Sequence, residues 1–290
     1  MNFGDPGIAI GLSVVMHVAW NLIARHQARE SEPLWWVLLG HLVLFGPWGF
    51  YALASQADWT PRLLGLLAVS AGAITLYFIG LQRAYVHAPV ALVYPLVRSS
   101  PLLIALWSTS VLGESFGTLA WIGIGVSALG LAMMAATGRG HAEGRALPWT
   151  MLAMLATSVY SVADKAATSQ IDGFGGLVGY LSVGYLAAWL AMSLRMHRET
   201  ARWCPARRPG LLVLLAGSVC IGMAYALVIH AMRTLPAAEV VAYTNAGLVL
   251  ATLLSLGVFR ERAHWRQRLL GTGTICTGLA CLAMGRMLNG

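Results

Sequence analysis

The sequence is poor in charge. Only 10% of its 290 residues are Asp, Glu, Lys or Arg, against roughly a quarter in a water-soluble domain. Lysine is nearly absent: Lys165 stands alone, so the formal charge of +8 is carried by arginine. A soluble fold of this size could not hide 58% hydrophobic residues and a mean hydropathy of +0.70, because surface grows too quickly relative to volume. Cysteine is scarce as well. Cys204, Cys220, Cys276 and Cys281 show no metal-ligand spacing, and three of them lie in apolar segments, where they read as small packing residues. Catalytic signatures are missing: there is no H-E-x-x-H, no G-x-S-x-G and no paired carboxylates at the spacing such motifs need. Asp164 stands where G-x-x-x-x-G-K would place its glycine before Lys165, so there is no P-loop and ATP-driven pumping by this chain alone is not expected. No metal or cofactor is expected. No cleavable signal peptide is expected before the first apolar run, which can itself direct membrane entry.

What the sequence does have is long apolar runs. A helix needs about 20 mostly apolar residues to cross a bilayer. Ten such runs lie at approximately 7–24, 34–54, 63–82, 89–112, 117–137, 148–168, 174–194, 210–229, 236–258 and 267–287. They are continuous rather than alternating with period two, which points to helices and away from a barrel. The separators carry charge, Pro and Gly: Arg25 to Pro33, Ala57 to Arg62, Gly138 to Pro148 and Arg195 to Pro209. They are too short to hold a soluble domain.

An internal repeat organises the runs. Ala84 to Glu114 aligns without gaps on Ala231 to Glu261, placing Pro89 on Pro236 and Glu114 on Glu261. With one residue inserted the match continues, Gly123 on Gly271, Gly125 on Gly273 and Gly130 on Gly278. Ser13 to Gln27 can be laid on Ala156 to Gln170, with His17 on Tyr160 and Asn21 on Asp164. The expected fold is therefore an all-α integral membrane protein of ten transmembrane helices, built from a first five-helix repeat over 1–140 and a second over 141–290. An odd number of spans per copy makes the second enter with opposite polarity. The pair is then inverted about an axis in the membrane plane, with a solute site near mid-membrane.

Three segments resemble the EamA-type carriers of the drug/metabolite transporter superfamily. His17-Val18-Ala19-Trp20-Asn21 is similar to the H-A-x-W-N start of one EamA branch, and Tyr94-Pro95-Leu96-Val97-Arg98 to its Y-P-L-x-R segment. The fourth and ninth runs end in Glu114 and Glu261 at the usual acidic position, and Tyr160 to Lys165 also resembles the branch. The resemblance implies a ten-helix fold and transport of a small metabolite, without naming the substrate. It departs in the ninth run, where Ala242-Tyr243-Thr244-Asn245 replaces the expected Pro-Leu-Arg-Glu type sequence and an acid, Glu239, lies one turn earlier.

Ionisable groups inside spans are costly, about 2.5–3.5 kcal/mol each on insertion scales, and so mark partners or wet cavities. Arg98 lies too deep to reach water by snorkelling, with Tyr94 one turn away on the same face. A guanidinium there suits bidentate binding of a substrate carboxylate or phosphate; a structural ion pair is the competing reading. Glu239, with Tyr243 one turn on, could pair with Arg98, bind a cationic group or load a proton, and is the proton-coupling candidate. The plainer reading is a carboxylate at the membrane face. His17, Trp20 and Asn21 share a helical face that could line the cavity, although a lone helical His is more often a hydrogen-bonded packing group. Asp164 and Lys165, near a span end, fit snorkelling, while Asp164 is also a cavity candidate. The expected substrate-binding set is thus Arg98, Tyr94, Glu239, Tyr243, His17, Trp20, Asn21, Asn245, Tyr160 and Asp164. Glu114 and Glu261 read as loop anchors.

The expectation is a multi-pass carrier in a bacterial inner membrane, exporting a small zwitterionic or anionic metabolite such as an amino acid or amine-containing compound. Its expected partners are a small polar solute and the lipid bilayer, with proton coupling as an option, as a monomer or homodimer. An intramembrane enzyme, a channel, an importer or exchanger, and a metallophore exporter are the alternatives. Nucleic acid is not expected, since the arginines sit in short loops where they read as topology signals. Arg25, Arg29, Arg83, Arg139, Arg145, Arg195, Arg198, Arg202, Arg207, Arg208, Arg260, Arg262, Arg266 and Arg268 fall on one side, against Arg62, Lys165, Arg233 and Arg286 on the other. The positive-inside rule then places both termini outside, whereas ten-span relatives commonly keep both inside.

Overall fold

The computed structural model describes residues 5–24, 32–88, 90–136, 143–257 and 264–289. These residues form helices α1 (Pro6–Ala24), α2 (Pro33–Gln56), α3 (Pro61–His87), α4 (Val90–Val97), α5 (Pro101–Trp107), α6 (Thr118–Ala135), α7 (Leu147–Ala167), α8 (Phe174–Thr200), α9 (Leu211–Ala231), α10 (Ala237–Tyr243), α11 (Ala246–Gly257) and α12 (Trp265–Asn289). Among the described residues there is no strand, only an isolated bridge between Ala57 and Ile171. Proline opens α1, α2, α3 and α5, because its missing N–H would be unpaired in a first turn anyway. Each of the ten expected runs coincides with helix. Seven helical segments are long and apolar enough to cross a membrane. The other three fall short for local reasons: α1 offers a shorter apolar stretch, the fourth run is broken into α4 and α5, and α7 carries Asp164 and Lys165.

The helices gather into two compact units, and neither is one half of the sequence. The first comprises Met1–Thr75 and Ala163–Thr234, the second Leu76–Val162 and Leu235–Gly290. In the first unit α2 packs on α8 and α9, and α1 on α9. The α2–α8 seam is antiparallel: Trp35 Nε1 donates to Ser193 Oγ at 2.8 Å, His41 Nε2 contacts Ser182 Oγ at 3.1 Å, and Gln56 Oε1 accepts from the Gly176 N–H at 2.8 Å. Between these polar rungs the backbones touch, since a Cβ on Gly179 would lie 2.0 Å from the Gly49 carbonyl oxygen. Small residues allow such approach where lipid supplies no hydrophobic drive between helices.

In the second unit α6 packs on α12 through two glycine pairs. A Cβ on Gly123 would lie 2.7 Å from the Gly278 oxygen, and one on Gly130 2.7 Å from the Gly271 oxygen. These contacts make α6 and α12 antiparallel. The repeat equates Gly123 with Gly271 and Gly130 with Gly278, so it carries one contact pair onto the other.

Gly179→Ala is expected to lower the melting temperature of the detergent-solubilised protein, with an overpacking cost of about 1–3 kcal/mol. Gly125→Ala, where a Cβ would meet nothing within 4 Å, is expected to leave it unchanged. Equal melting temperatures for the two variants would remove the close-approach account of the α2–α8 seam.

Candidate substrate site

The fourth and ninth runs are both broken, and at matched places. In the fourth, Pro95 and Pro101 supply no N–H, and the chain between them turns tightly: Ser99 N–H donates to Leu96 O at 3.1 Å and Ser100 N–H to Val97 O at 3.2 Å. Arg98 sits in this turn. In the ninth, α10 ends at Tyr243, and Asn245 N–H donates to Ala242 O at 2.9 Å before α11 begins. No proline enforces this second break. The gap-free repeat places Arg98 on Asn245, so the same backbone device recurs with different chemistry.

The two breaks are latched to each other. Arg98 Nη2 donates to Thr244 Oγ1 at 2.8 Å, and Asn245 Nδ2 donates back to the Arg98 carbonyl at 3.3 Å. The guanidinium carbon stands 5.8 Å from the centroid of the Tyr94 ring, within cation–π range. Asn245 is fully buried, and its Oδ1 and the buried Nε of Arg98 have no hydrogen-bond partner among the described residues. Arg98 forms no ion pair there either. A half-buried arginine with one hydroxyl acceptor and no counter-ion among the described residues retains most of its planar donor set.

Tyr160 joins this group through a residue that the apolar reading of the third run passed over. Its ring meets that of Tyr77 edge to face, with centroids 5.8 Å apart at 84°. Tyr77 in turn lies within electrostatic range of Tyr94 and Arg98, and Tyr85 within range of Tyr77 and Tyr94. Tyr77 and Tyr85 stand eight residues apart on α3, a spacing that shares a helical face. That was the available signal.

Glu239 goes elsewhere. Its charged neighbours are Arg286 and Glu114, and Tyr243 senses both Glu239 and Arg286. The expectation that Glu239 could pair with Arg98 is therefore corrected: Arg98 hydrogen-bonds Thr244 at the ninth-run break, whereas Glu239 occupies the first turn of α10. Glu261 lies outside the described residues.

The first unit holds the remaining candidates. Asp164 is fully buried, which overturns the snorkelling reading of a carboxylate at a span end. Ser70 Oγ donates to Asp164 Oδ1 at 2.5 Å and the Tyr225 hydroxyl to Oδ2 at 2.7 Å, with Tyr180 also beside it. Lys165 turns away, its Nζ donating to the Met232 carbonyl at 2.5 Å. Three hydroxyls from three different helices thus stand around one carboxylate; the sequence offered no spacing that would link Ser70, Tyr180 and Tyr225 to Asp164. His17 is half-buried on α1, its Nδ1 2.9 Å from the Ser13 carbonyl oxygen and 3.2 Å from Ser13 Oγ. Trp20 and Asn21 lie on the same helix, but their side chains are outside the described residues.

A solved structure described only as "Crystal structure of protein" superposes with a TM-score of 0.70 and 21% identity, covering 95% of this chain and 98% of its own. That likeness shows the fold. No curated protein matches the sequence. The chain matches the EamA-like transporter family twice, over residues 7–136 and 144–284. A double match of that extent, on a chain of continuous apolar helices, makes this protein a member of the EamA-like transporter family, within the drug/metabolite transporter superfamily.

Proposed function

We propose that the chain is a secondary active carrier that exports a small zwitterionic or anionic metabolite by alternating access between two inverted repeats. The observation that carries the reading is Arg98, a guanidinium at a helix break with no counter-ion among the described residues. Insertion of an unpaired charge into a span is costly, and a solute carboxylate or phosphate compensates it through a two-pronged charge-assisted contact. Tyr94, Tyr160 and Asn245 supply the neighbouring ring faces and amide, and Tyr77 extends them.

Repeat-equivalent helices support the inverted arrangement. The second and seventh runs pack antiparallel, as do the fifth and tenth, and the breaks of the fourth and ninth meet at equivalent residues. Copies related by an axis in the membrane plane have their equivalent helices running in opposite directions. Glu239 is our proton-coupling residue, with Tyr243 beside it. Asp164 is a second reading, favoured by its enclosure among hydroxyls that can bond either protonation state of a carboxyl group. His17, Trp20 and Asn21 on α1 are proposed as further solute-binding residues.

Arg98→Lys is expected to express normally and to bind the solute about ten- to a hundredfold more weakly, the loss of one charge-assisted contact, because an ammonium cannot reproduce the planar contact. Binding is read by ligand-induced thermal shift across a panel of amino acids and phosphorylated metabolites. Unchanged affinity for the stabilising ligand would end the assignment of Arg98 as selector.

Glu239→Gln is expected to flatten the pH dependence of uptake into sealed inverted vesicles, and Asp164→Asn to leave that profile in place. The reverse pattern transfers the proton role to Asp164. A pH profile untouched by both substitutions, in the same assay, leaves neither acid in that role.

Membrane orientation follows from arginine placement. Alkaline phosphatase fused after Gly290 is expected to be active, consistent with both termini outside in a bacterial host. An inactive phosphatase fusion alongside a fluorescent cytoplasmic reporter fusion reverses the orientation.

A further inference from the structure

The first unit carries a groove lined by none of the residues placed at the candidate substrate site. Its volume is about 240 Å³, and it runs between α2 and α9, walled by Leu39, Val43, Leu44, Leu211 and Leu215. Its floor is fixed by a close approach of the two helices: a Cβ on Gly40 would lie 2.0 Å from Ser218 Oγ. The walls are open to the surroundings, with Val43 66% and Leu211 69% exposed. From Trp36 to Leu44 the groove descends α2 by about 12 Å, at 1.5 Å per residue.

One end of the groove is not apolar. Arg208 lines it beside Trp36. Trp36 Nε1 donates to the Arg207 carbonyl at 3.1 Å, tying the α8–α9 loop to the first turn of α2. Arg208 itself makes no hydrogen bond or ion pair among the described residues. It belongs to a run that contains Arg195, Arg198, Arg202, Arg207 and Arg208 but a single acid, Glu199, which lies 3.8 Å from Arg195. Indole side chains such as Trp36 favour the level of lipid headgroups, which suits a groove mouth and an arginine at the level of the phosphates. Apolar walls below, a tryptophan at the rim and an unpaired guanidinium above it match a molecule that is a chain at one end and an anion at the other.

We propose that this groove binds one anionic phospholipid, with an acyl chain between α2 and α9 and the phosphate on Arg208. The charge of the loop decides between lipids. A zwitterionic headgroup brings its own cation toward Arg208 and the arginine-rich run it belongs to, whereas phosphatidylglycerol brings none, and basic residues near an anionic surface strengthen attachment.

The test is native mass spectrometry of the full-length detergent-purified protein with phosphatidylglycerol or phosphatidylcholine of identical chains. Wild type is expected to retain phosphatidylglycerol preferentially. Arg208→Gln is expected to bind it about fivefold more weakly and to lose the preference. Leu215→Trp, which fills the groove, is expected to lose both lipids. Leu215 is 43% exposed and Arg208 is exposed, so lipid-free melting temperatures should match wild type. Glycerol phosphate, the headgroup without chains, is expected not to compete. Equal retention of the two lipids, a preference that survives Arg208→Gln, lipid retention unaffected by Leu215→Trp, displacement by glycerol phosphate, or a groove covered by a second copy each overturns the proposal.

Discussion

A bilayer offers no water to a polar group, so every donor and acceptor within these helices must be met by protein or by what the protein binds. That constraint shapes both units. Where the chain satisfies it internally, helices are tied together across long sequence separations. His41, fully buried, reaches Ser182 while Tyr185 stands edge-on to its ring at 5.2 Å. Asp164 draws hydroxyls from α3 and α9 to α7. Arg233 does the same at a loop, its Nη2 donating to the carbonyls of Ile171 and Asp172 at 2.6 and 2.9 Å. At Arg98 Nε and Asn245 Oδ1, as at His41 Nδ1 and Arg233 Nε, the constraint is left open among the described residues.

Helix position was legible in the sequence because it rests on local signals. Apolar run length, prolines at first turns and charged separators placed all ten runs within a few residues of helix. The break within the fourth run was foreshadowed by Pro95 and Pro101. That within the ninth was not, since Thr244 and Asn245 carry no breaker; only the repeat alignment onto Arg98 links them. Grouping in space was less legible. The compact units draw on both halves of the chain, and contact between α2 and α8 depends on bare backbone at Gly49 and Gly179, which composition alone cannot pair.

The site residues divide along the same line. Arg98 with Tyr94 could be read because one helical turn separates them. The Asp164 enclosure could not, because Ser70, Tyr180 and Tyr225 come from three other helices at unrelated distances along the chain. The surroundings of Glu239 were hidden for a related reason. Spacing along the ninth run gave its proximity to Tyr243, but the neighbours that matter, Arg286 and Glu114, lie at the ends of other runs.

Duplication explains why scaffold and chemistry part company. The glycines that bring α6 onto α12 occupy equivalent positions in both copies, because any side chain there would strike backbone whichever copy bore it. The helix breaks recur for the same reason: each frees backbone groups that the other copy's side chain can meet, as Asn245 meets the Arg98 carbonyl. Side chains at the breaks carry no such obligation. A second arginine in place of Asn245 would set two guanidiniums against each other in a medium of low dielectric, where like charges repel strongly. A neutral amide can instead donate to the carbonyl of the arginine it faces. In this chain, one copy supplies the charge and the other a neutral latch, which avoids that repulsion where the two breaks meet.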